Sequence, residues 1–393
     1  VFQAGVELLG EVGLYHMETQ RVIKYTVEEI RKIADERKAD PGKVTMGLGD
    51  DEVTIQYRTG EDSRAPTNYA GAAGVLEEEW FMPFVQSIAQ EESVKGMGCT
   101  GGITRVGDVD PKAGTLSELH CGLWEQNQML EVLRRVGRPG MSLGLMQTVT
   151  TPAAIMECIG PGLREAHNTH IGIHILPEQK IDWTRLIMAH FCQERGITPW
   201  QSAMSMIGGF CRDAADNAVV LIANTLGQMS YGHGPISSLF SSLMDGSFGT
   251  RETIWAVCAA ARASERNIRV ATGACLPGSD HCKGIQTSVY VSAAEAVAYT
   301  ACGLSYAWVA GCTGLEARLI GEILDVTAGM DKNKADKLVK SIMGKVDDML
   351  GKEPPMVHFT DKYDVKTIKP KPEYETKIMQ VKEELARMGM PFG

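Results

Sequence analysis

Two histidines stand four residues apart in the apolar run 170–176. Because alternate side chains of a β-strand point to the same face, His170 and His174 would share one face of a strand. Such a pair fits two chemical roles, either as ligands of a metal ion or as groups that move a proton. The structural alternative has one histidine hydrogen-bonded at the bottom of the strand and the other lining a pocket at its top.

A second cluster combines the side chains that bind zinc. Cys275 ends an apolar run, and Asp280, His281 and Cys282 follow it. The adjacent His281 and Cys282 are poorly spaced for one tetrahedral ion, and buried cysteines are common in cores, so a structural role is the alternative. The zinc hypothesis draws its ligands from these residues: His170, His174, Cys275, His281 and Cys282.

Two further loops hold candidate polar groups. Gln147 follows the apolar run 141–146, which contains Gly144, and His233 lies in the glycine-rich loop 231–235. A glutamine at the end of a strand can orient a substrate, while His233 fits a turn residue as well as a proton carrier.

Strands and helices that alternate regularly along the chain must position these candidate side chains. From about residue 90, short apolar runs are each followed by a segment of helical period, which predicts parallel strands joined by helical crossovers. Seven runs favour an eight-stranded (β/α)8 barrel over residues 91–330, with an eighth strand in an unscored run and an open doubly wound sheet as the alternative. The predicted strands are 94–99, 141–146, 170–176, 202–210, 236–240, 269–275 and 306–312.

The two ends of the chain differ from this alternation. Residues 1–90 predict a helical preface, with helices at 1–13 and 27–38 and a hairpin at 43–58, packed on the barrel. Residues 331–393 predict a helical extension that packs on the barrel or docks a partner. The uncharged stretch 296–315 contains Gly303, Ser305 and Gly311 and predicts a buried helix, turn and strand rather than a membrane span.

Composition excludes several classes of protein. The net charge is −10, and no run of Lys or Arg follows a track of phosphates, so we expect no nucleic-acid partner and no membrane association. The ten cysteines lack the density and spacing of a secreted disulfide scaffold, which indicates reduced thiols and a cytoplasmic location. No Walker or HExxH motif supports phosphate-loop or zincin chemistry.

Nine short segments carry specific motifs, among them Gly137-Arg138-Pro139-Gly140-Met141; the others are 2–5, 13–15, 21–26, 81–83, 250–253, 313–318, 327–329 and 363–367. In order and spacing they resemble the monomethylamine methyltransferase family of methanogenic archaea. The resemblance implies a (β/α)8 barrel, assembled as a homohexamer, that moves a methyl group from methylamine to the Co(I) of a separate corrinoid protein. It also implies an additional segment ahead of the first helix.

The chain departs from that family at the reactive position. The family holds its amine on pyrrolysine, and counting from the segment 137–141 puts Gly144 at that position. The family's pocket glutamate aligns near Ser202, and its glutamine and tyrosine align near Arg269. Since glycine cannot form the covalent adduct, the resemblance implies an emptied pocket that admits a bulkier methyl donor.

Three hypotheses follow for the activity. The first is a pyrrolysine-independent methyltransferase for a small methylated amine, perhaps quaternary, that binds no cofactor tightly and acts on the cobalamin of its partner. In this hypothesis Gly144 makes room, Gln147 and His174 orient the donor, and Arg269 binds an anionic group; Ser202 and His233 complete the pocket. The second is a zinc-dependent corrinoid methyltransferase with an oxygen or sulfur methyl donor. The third is a non-catalytic barrel that binds a corrinoid protein.

Overall fold

The computed structural model describes residues 1–72, 74–99, 101–145, 148–160, 162–176, 178–277, 284–354 and 358–392. Eight parallel strands form one sheet, and we number them β1 to β8 along the chain. Each strand pairs with the next, β8 pairs with β1, and β3 meets β4 through a bridge between Leu143 and Thr169. The strands are Thr67–Gly71, Gly96–Cys99, Ser142–Leu145, His170–His174, Thr198–Ile207, Ile236–Leu243, Ala271–Pro277 and Tyr306–Ala310.

The barrel prediction is therefore confirmed, with two corrections to its boundaries. The eighth strand is β1, and it lies inside the segment 1–90 that was assigned to the preface, so the barrel begins at residue 67 rather than 91. Its sequence, TNYAG, begins with two polar residues and does not form an apolar run. Strand β5 begins at Thr198 and ends at Ile207, four and three residues earlier than predicted.

Helices connect the strands and cover the outside of the barrel. Many begin at a capping side chain: Thr26 and Glu29 form a reciprocal capping box, and Asp182, Asp213 and Thr250 each accept a hydrogen bond from the first turn. The helices, α1 to α13 in chain order, are Phe2–Val12, Val27–Ala39, Glu78–Ala89, Leu116–Arg135, Pro152–Glu157, Trp183–Arg195, Ala214–Gly232, Arg251–Asn267, Ile285–Ala301, Gly314–Thr327, Lys332–Met349, Phe359–Lys362 and Pro372–Arg387.

Large and small side chains alternate around the lower half of the barrel interior. The large rings are Tyr69, His170, Trp200 and Tyr306, and the facing small residues are Gly96, Ser142, Ser238 and Gly273. A Cβ at Gly96 would lie 2.3 Å from the Tyr69 ring, and one at Gly273 would lie 2.1 Å from the Tyr306 ring. Glycine is required at both positions because the opposing ring already occupies the volume of a side chain.

Serine hydroxyls lie within hydrogen-bond distance of one polar atom on each of three of these rings, Trp200, Tyr306 and His170. The Trp200 Nε1 donates to Ser238 Oγ at 2.8 Å, and the Ser238 and Tyr306 hydroxyls lie 2.7 Å apart. The His170 Nδ1 lies 3.1 Å from Ser142 Oγ. The rings and hydroxyls together form a solid layer, which we call the barrel floor.

The preface closes the barrel from below. The predicted hairpin is present as the antiparallel strands Lys43–Met46 and Val53–Gln56, in which Val44 lies opposite Ile55. Met46 and Ile55 are buried against the floor rings. The amino-terminal end of the barrel is therefore sealed by side chains of the hairpin.

The carboxyl-terminal extension packs on the outside of the barrel. Helices α11 and α13 bury apolar side chains such as Ile342 and Tyr374 against α9 and α10. An ion pair of 3.3 Å joins Lys362 of α12 to Glu316 of α10, and both side chains are only 4% exposed. The extension is thus part of the folded core rather than a free arm.

The uncharged stretch 296–315 forms the end of α9, a turn, β8 and the start of α10, as predicted. Within the described residues, no helix has the length and hydropathy that crossing a membrane requires.

Candidate functional site

The carboxyl ends of the strands lie together above the barrel floor, and we call this region the barrel mouth. The side chain of Trp308 crosses this region, since its Cδ1 lies 2.4 Å from where a Cβ of Gly98 would be. Phe240 packs edge-to-face on Trp308, with 5.5 Å between the ring centroids. The two rings form the apolar base of the mouth.

Three buried polar atoms at the mouth have no hydrogen-bond partner among the described residues. They are Ser202 Oγ, His174 Nδ1 and Trp308 Nε1. Ser202 pairs with His174 across the β4–β5 register, and alternation puts both side chains on the same inward face as the floor rings. Since a buried polar group without a partner costs free energy, such a group at a cavity indicates a place for a ligand or water.

His174 is neutral over the physiological pH range. Burial is the main cause, and the positive charge of Arg185 adds to it, so that the pKa of His174 falls to about 4. Arg185 is fixed beside it because its Nε donates to the His174 carbonyl at 3.2 Å. The ring therefore offers a neutral donor and acceptor rather than a cation.

Gly144 lies on the inward face of β3, and described residues already occupy the space that a side chain there would take. An added Cβ would lie 2.2 Å from the Gly98 carbonyl oxygen and 2.3 Å from His170 Nε2. The buried Arg164 donates to the Gly144 carbonyl and to Gln126. The expectation that glycine makes room for a donor at this position is therefore corrected, because the neighbouring strand and His170 occupy the space.

The loop after β3 is fastened to helix α4. Glu118, which is 1% exposed, accepts hydrogen bonds from the backbone and hydroxyls of Thr150 and Thr151 and from the Gly114 backbone. Burial alone would raise the pKa of Glu118, but these hydrogen bonds lower it to about 2. The carboxylate thus stays ionised and holds the loop next to the mouth.

His170 and His174 do not meet at one ion. His170 lies in the floor with Ser142 and Trp200, and burial keeps its pKa well below the ordinary value for histidine. Four residues of extended strand separate the two histidines by about 13 Å. Among the described residues, no three His, Cys, Asp or Glu side chains are placed to hold a metal ion.

Of four further predicted site residues, the structure describes one and leaves three undescribed. Cys275 lies on β7 with its side chain toward the mouth by alternation. Gln147, His281 and Cys282 lie outside the described residues.

His233 and Arg269 lie at the opposite end of the barrel. His233 caps the end of α7 before β6 begins, and Arg269 precedes β7, so both stand at the amino ends of strands. The Arg269 guanidinium lies 5.9 Å above the Tyr57 ring, beside the preface hairpin. The structure therefore does not bring either residue to the mouth, and Arg269 cannot bind an anionic group of a donor there.

Sequence reasoning missed three residues that shape this region. Phe240 was within a predicted strand but was not recognised as inward, although alternation from its neighbours gives that direction. Arg164 and Glu118 act from a loop and a helix on the backbone of the β3 segment. Only three-dimensional contacts identify them, because no local pattern links them to Gly144 or Thr150.

Comparison with known proteins agrees with the barrel and with the segments that precede and follow it. The model of the family described as monomethylamine methyltransferase MtmB matches residues 1–390. Curated relatives include MtmB from Methanosarcina mazei, 27% identical, and MtmB2 from Methanosarcina acetivorans, 26% identical; each alignment covers 100% of this chain and 87% of the relative.

Solved structures show the same fold. The crystal structure of the Methanosarcina barkeri monomethylamine methyltransferase superposes with a TM-score of 0.90 at 22% identity, over 100% of this chain and 87% of that one. A structure titled as the hydroxylamine complex of MtmB gives the same values. From the family match over nearly its full length, the chain belongs to the MtmB family of methyltransferases.

Proposed function

We propose that this protein transfers a methyl group from a small, highly methylated ammonium compound to the Co(I) of a corrinoid protein, without pyrrolysine. Family membership supports the methyl transfer. The corrinoid protein and the kind of donor are our proposals.

The base of the mouth is the observation that carries the choice of donor. Trp308 and Phe240 present aromatic faces, and His174 beside them is neutral. None of the described inward-facing strand residues above the floor is Asp, Glu, Lys or Arg. A quaternary or tertiary ammonium group binds favourably to such rings through cation–π attraction, which is strongest when water is excluded.

The chemistry of the leaving group supports the same donor. In the transfer, the cobalt electron pair forms the new bond to the methyl carbon while the C–N electron pair stays on nitrogen. A quaternary nitrogen then leaves as a neutral amine, so the donor needs no covalent attachment to the protein. This suits a site where the Gly144 position admits no side chain.

Two of the three orphaned polar atoms have a use in this reaction. Ser202 Oγ and His174 Nδ1 can accept a hydrogen bond from the N–H of a tertiary ammonium donor or hold the water that hydrates the departing amine. Both groups are uncharged, so neither repels the positive donor. They orient the donor while the rings bind its methyl groups.

We further propose that the corrinoid protein docks over the carboxyl ends of the strands and that the chain forms a homo-oligomer. The sealed amino-terminal end supports the docking side, because the hairpin covers the opposite end of the barrel. Light scattering of the pure protein, alone and mixed with a Co(I) corrinoid protein, measures both associations.

The donor is tested by binding before any transfer is measured. Titration calorimetry of the full-length protein with tetramethylammonium, trimethylammonium and methylammonium chlorides should give the lowest Kd for the most methylated ions. The change Trp308→Leu should weaken tetramethylammonium binding by about 10- to 30-fold, equivalent to loss of up to about 2 kcal/mol of cation–π attraction. Trp255→Leu, at an exposed position on α8, is the matched control and should change nothing.

Transfer is then followed as the loss of the Co(I) absorption of an added corrinoid protein. Equal affinity for all three ions, or an unaffected Kd in Trp308→Leu, would contradict the proposed donor. Tight association with the corrinoid protein without transfer from any amine would identify a barrel that only binds it. Stoichiometric zinc in the purified protein, with activity lost on chelation and restored by zinc, would favour an oxygen or sulfur donor instead.

A further inference from the structure

A pair of cysteines outside the barrel forms a site that methyl transfer does not use. Cys258 lies on α8, and Cys302 follows the last residue of α9. A side-chain hydrogen bond joins the two thiols. Both side chains are half-buried, and neither takes part in a disulfide.

Both thiols open onto one groove. It has a volume of about 500 Å³ and lies between α8, α9 and α11. Its walls are mostly apolar, with Trp255, Ala298 and Met343 beside the two half-buried cysteines. A small molecule can therefore reach the sulfur atoms without unfolding of the barrel.

The charged groups around the pair make the two thiols unequal. For Cys302, the hydrogen bond from Cys258 is the largest influence and lowers the pKa, and the positive charges of Arg262 and Lys332 act in the same direction against burial and Glu265. For Cys258, the same hydrogen bond, burial and Glu295 raise the pKa. The groove is also lined by Arg251, Asp336 and Lys340.

We propose that Cys258 and Cys302 form a reactive dithiol that is reversibly oxidised by low-molecular-weight disulfides. The Cys302 thiolate attacks one sulfur of the disulfide, which forms a mixed disulfide on Cys302 and releases the first small thiolate. The Cys258 sulfur then attacks Cys302, releases the second small thiolate and gives up its proton to it. Overall, two protein thiols are oxidised to one internal disulfide, and the small disulfide is reduced to two thiols.

The internal disulfide would join α8 covalently to the turn that leads into β8. That strand carries Trp308, so the dithiol is linked through a short segment to the barrel mouth. The modification itself is independent of the proposed methyl donor.

Mass spectrometry of the reduced, full-length protein after incubation with oxidised glutathione tests the site. We expect the intact mass to fall by two hydrogen atoms and digestion to give one cross-linked peptide pair containing Cys258 and Cys302. In Cys258→Ser the reaction should stop with one glutathione on Cys302, and in Cys302→Ser neither product should form.

Alkylation rates give a second readout that does not depend on disulfide formation. At pH 7 iodoacetamide should modify Cys302 at least about tenfold faster than Cys192, a buried thiol on α6 whose pKa burial raises to about 12. Cys258→Ser, which weakens the hydrogen bond to Cys302, should slow that reaction, whereas Cys192→Ser should leave it unchanged. A cross-link between other cysteines, no cross-link at all, or equal alkylation of Cys302 and Cys192 would overturn the proposal.

Discussion

Gly144 has contacts on two sides that leave no volume for a side chain. The Gly98 carbonyl and the His170 ring are both within 2.3 Å of an added Cβ, and Arg164 fixes the Gly144 carbonyl from behind. A reactive side chain at this position would require β2 or His170 to move. Under the proposed function, other residues of the mouth must therefore bind and orient the donor.

The substitution Gly144→Ala tests this close packing. We expect a loss of about 1–3 kcal/mol in the free energy of unfolding, because the methyl group forces backbone shifts in a packed interior. Gly344→Ala is the control, since Gly344 lies within α11 with open space around its added Cβ and alanine favours a helix. Urea denaturation of both variants measures the difference, and an unchanged midpoint for Gly144→Ala would contradict the packing argument.

The protonation of His174 has a defined pH dependence. Its pKa of about 4 lies below that of an unfolded histidine, so protonation favours unfolding, and the cost of keeping the ring neutral is felt as pH falls below about 6.5. In the folded protein the ring should stay neutral down to about pH 5. The Cε1–H resonance of His174, assigned with His174→Gln, should not shift between pH 8 and pH 5. A midpoint near pH 6.5 would show that the ring is hydrated instead of buried.

At the scale of elements, helix α4 and the segment after β3 act as a unit. Glu118 receives five hydrogen bonds from three residues, and Arg164 bonds to both Gln126 of α4 and Gly144 of β3. The helix thus supports the end of the strand that contains Gly144. Loosening this contact changes the position of a whole loop rather than one side chain.

Glu118→Gln tests that support. Because the folded pKa of Glu118 is lower than its unfolded value, the carboxylate stabilises the fold above about pH 4.5, and this stabilisation is lost as pH falls toward 2. We expect the variant to be less stable than the natural protein at pH 7 and the difference to shrink as the pH is lowered below about 4.5. Glu131→Gln, at an exposed position of the same helix, should show no comparable difference. A deficit that does not depend on pH would contradict the role of the charge.

Helices and strands could be predicted from the sequence where the spacing of apolar residues and the capping or turn residues indicate the same element. The α2 helix, the 43–58 hairpin and seven barrel strands follow from such patterns, whereas β1 was missed because Thr67 and Asn68 make its start polar. For the site, period two placed His170 and His174 on one face of a strand. Residue order puts His233 before a predicted strand and Arg269 at the start of another, but the family alignment placed Arg269 in the pocket. The Gly144 contacts involve β2 and β4, and no local pattern encodes them.

For the whole molecule, the buried ion pair between Lys362 and Glu316 joins the extension to the barrel. Glu316 also caps the start of α10 through Thr313. Removal of one charge from such a pair leaves the other buried without compensation, which is more costly than loss of the pair itself.

Lys362→Met should therefore lower the free energy of unfolding by about 3–5 kcal/mol. The double change Lys362→Met with Glu316→Gln should recover part of this loss, because glutamine keeps the cap without a buried charge. Lys340→Met, which breaks an exposed pair with Asp336, is the control and should cost less than about 1 kcal/mol. Denaturant unfolding of the four proteins measures these values. A loss no larger than that of Lys340→Met would mean that the extension is held by its apolar faces alone.

The solid floor has a kinetic consequence. Rings fill the lower half of the barrel interior, and the hairpin covers its amino-terminal end. A donor and its amine product must therefore enter and leave at the carboxyl-terminal end, where the proposed methyl acceptor also binds. Under the proposed function, the donor has to enter before the corrinoid protein docks, and the amine leaves only after it departs. Turnover should accordingly follow a compulsory order of binding. A large excess of corrinoid protein should slow the reaction, because it docks before the donor has bound and blocks the entrance.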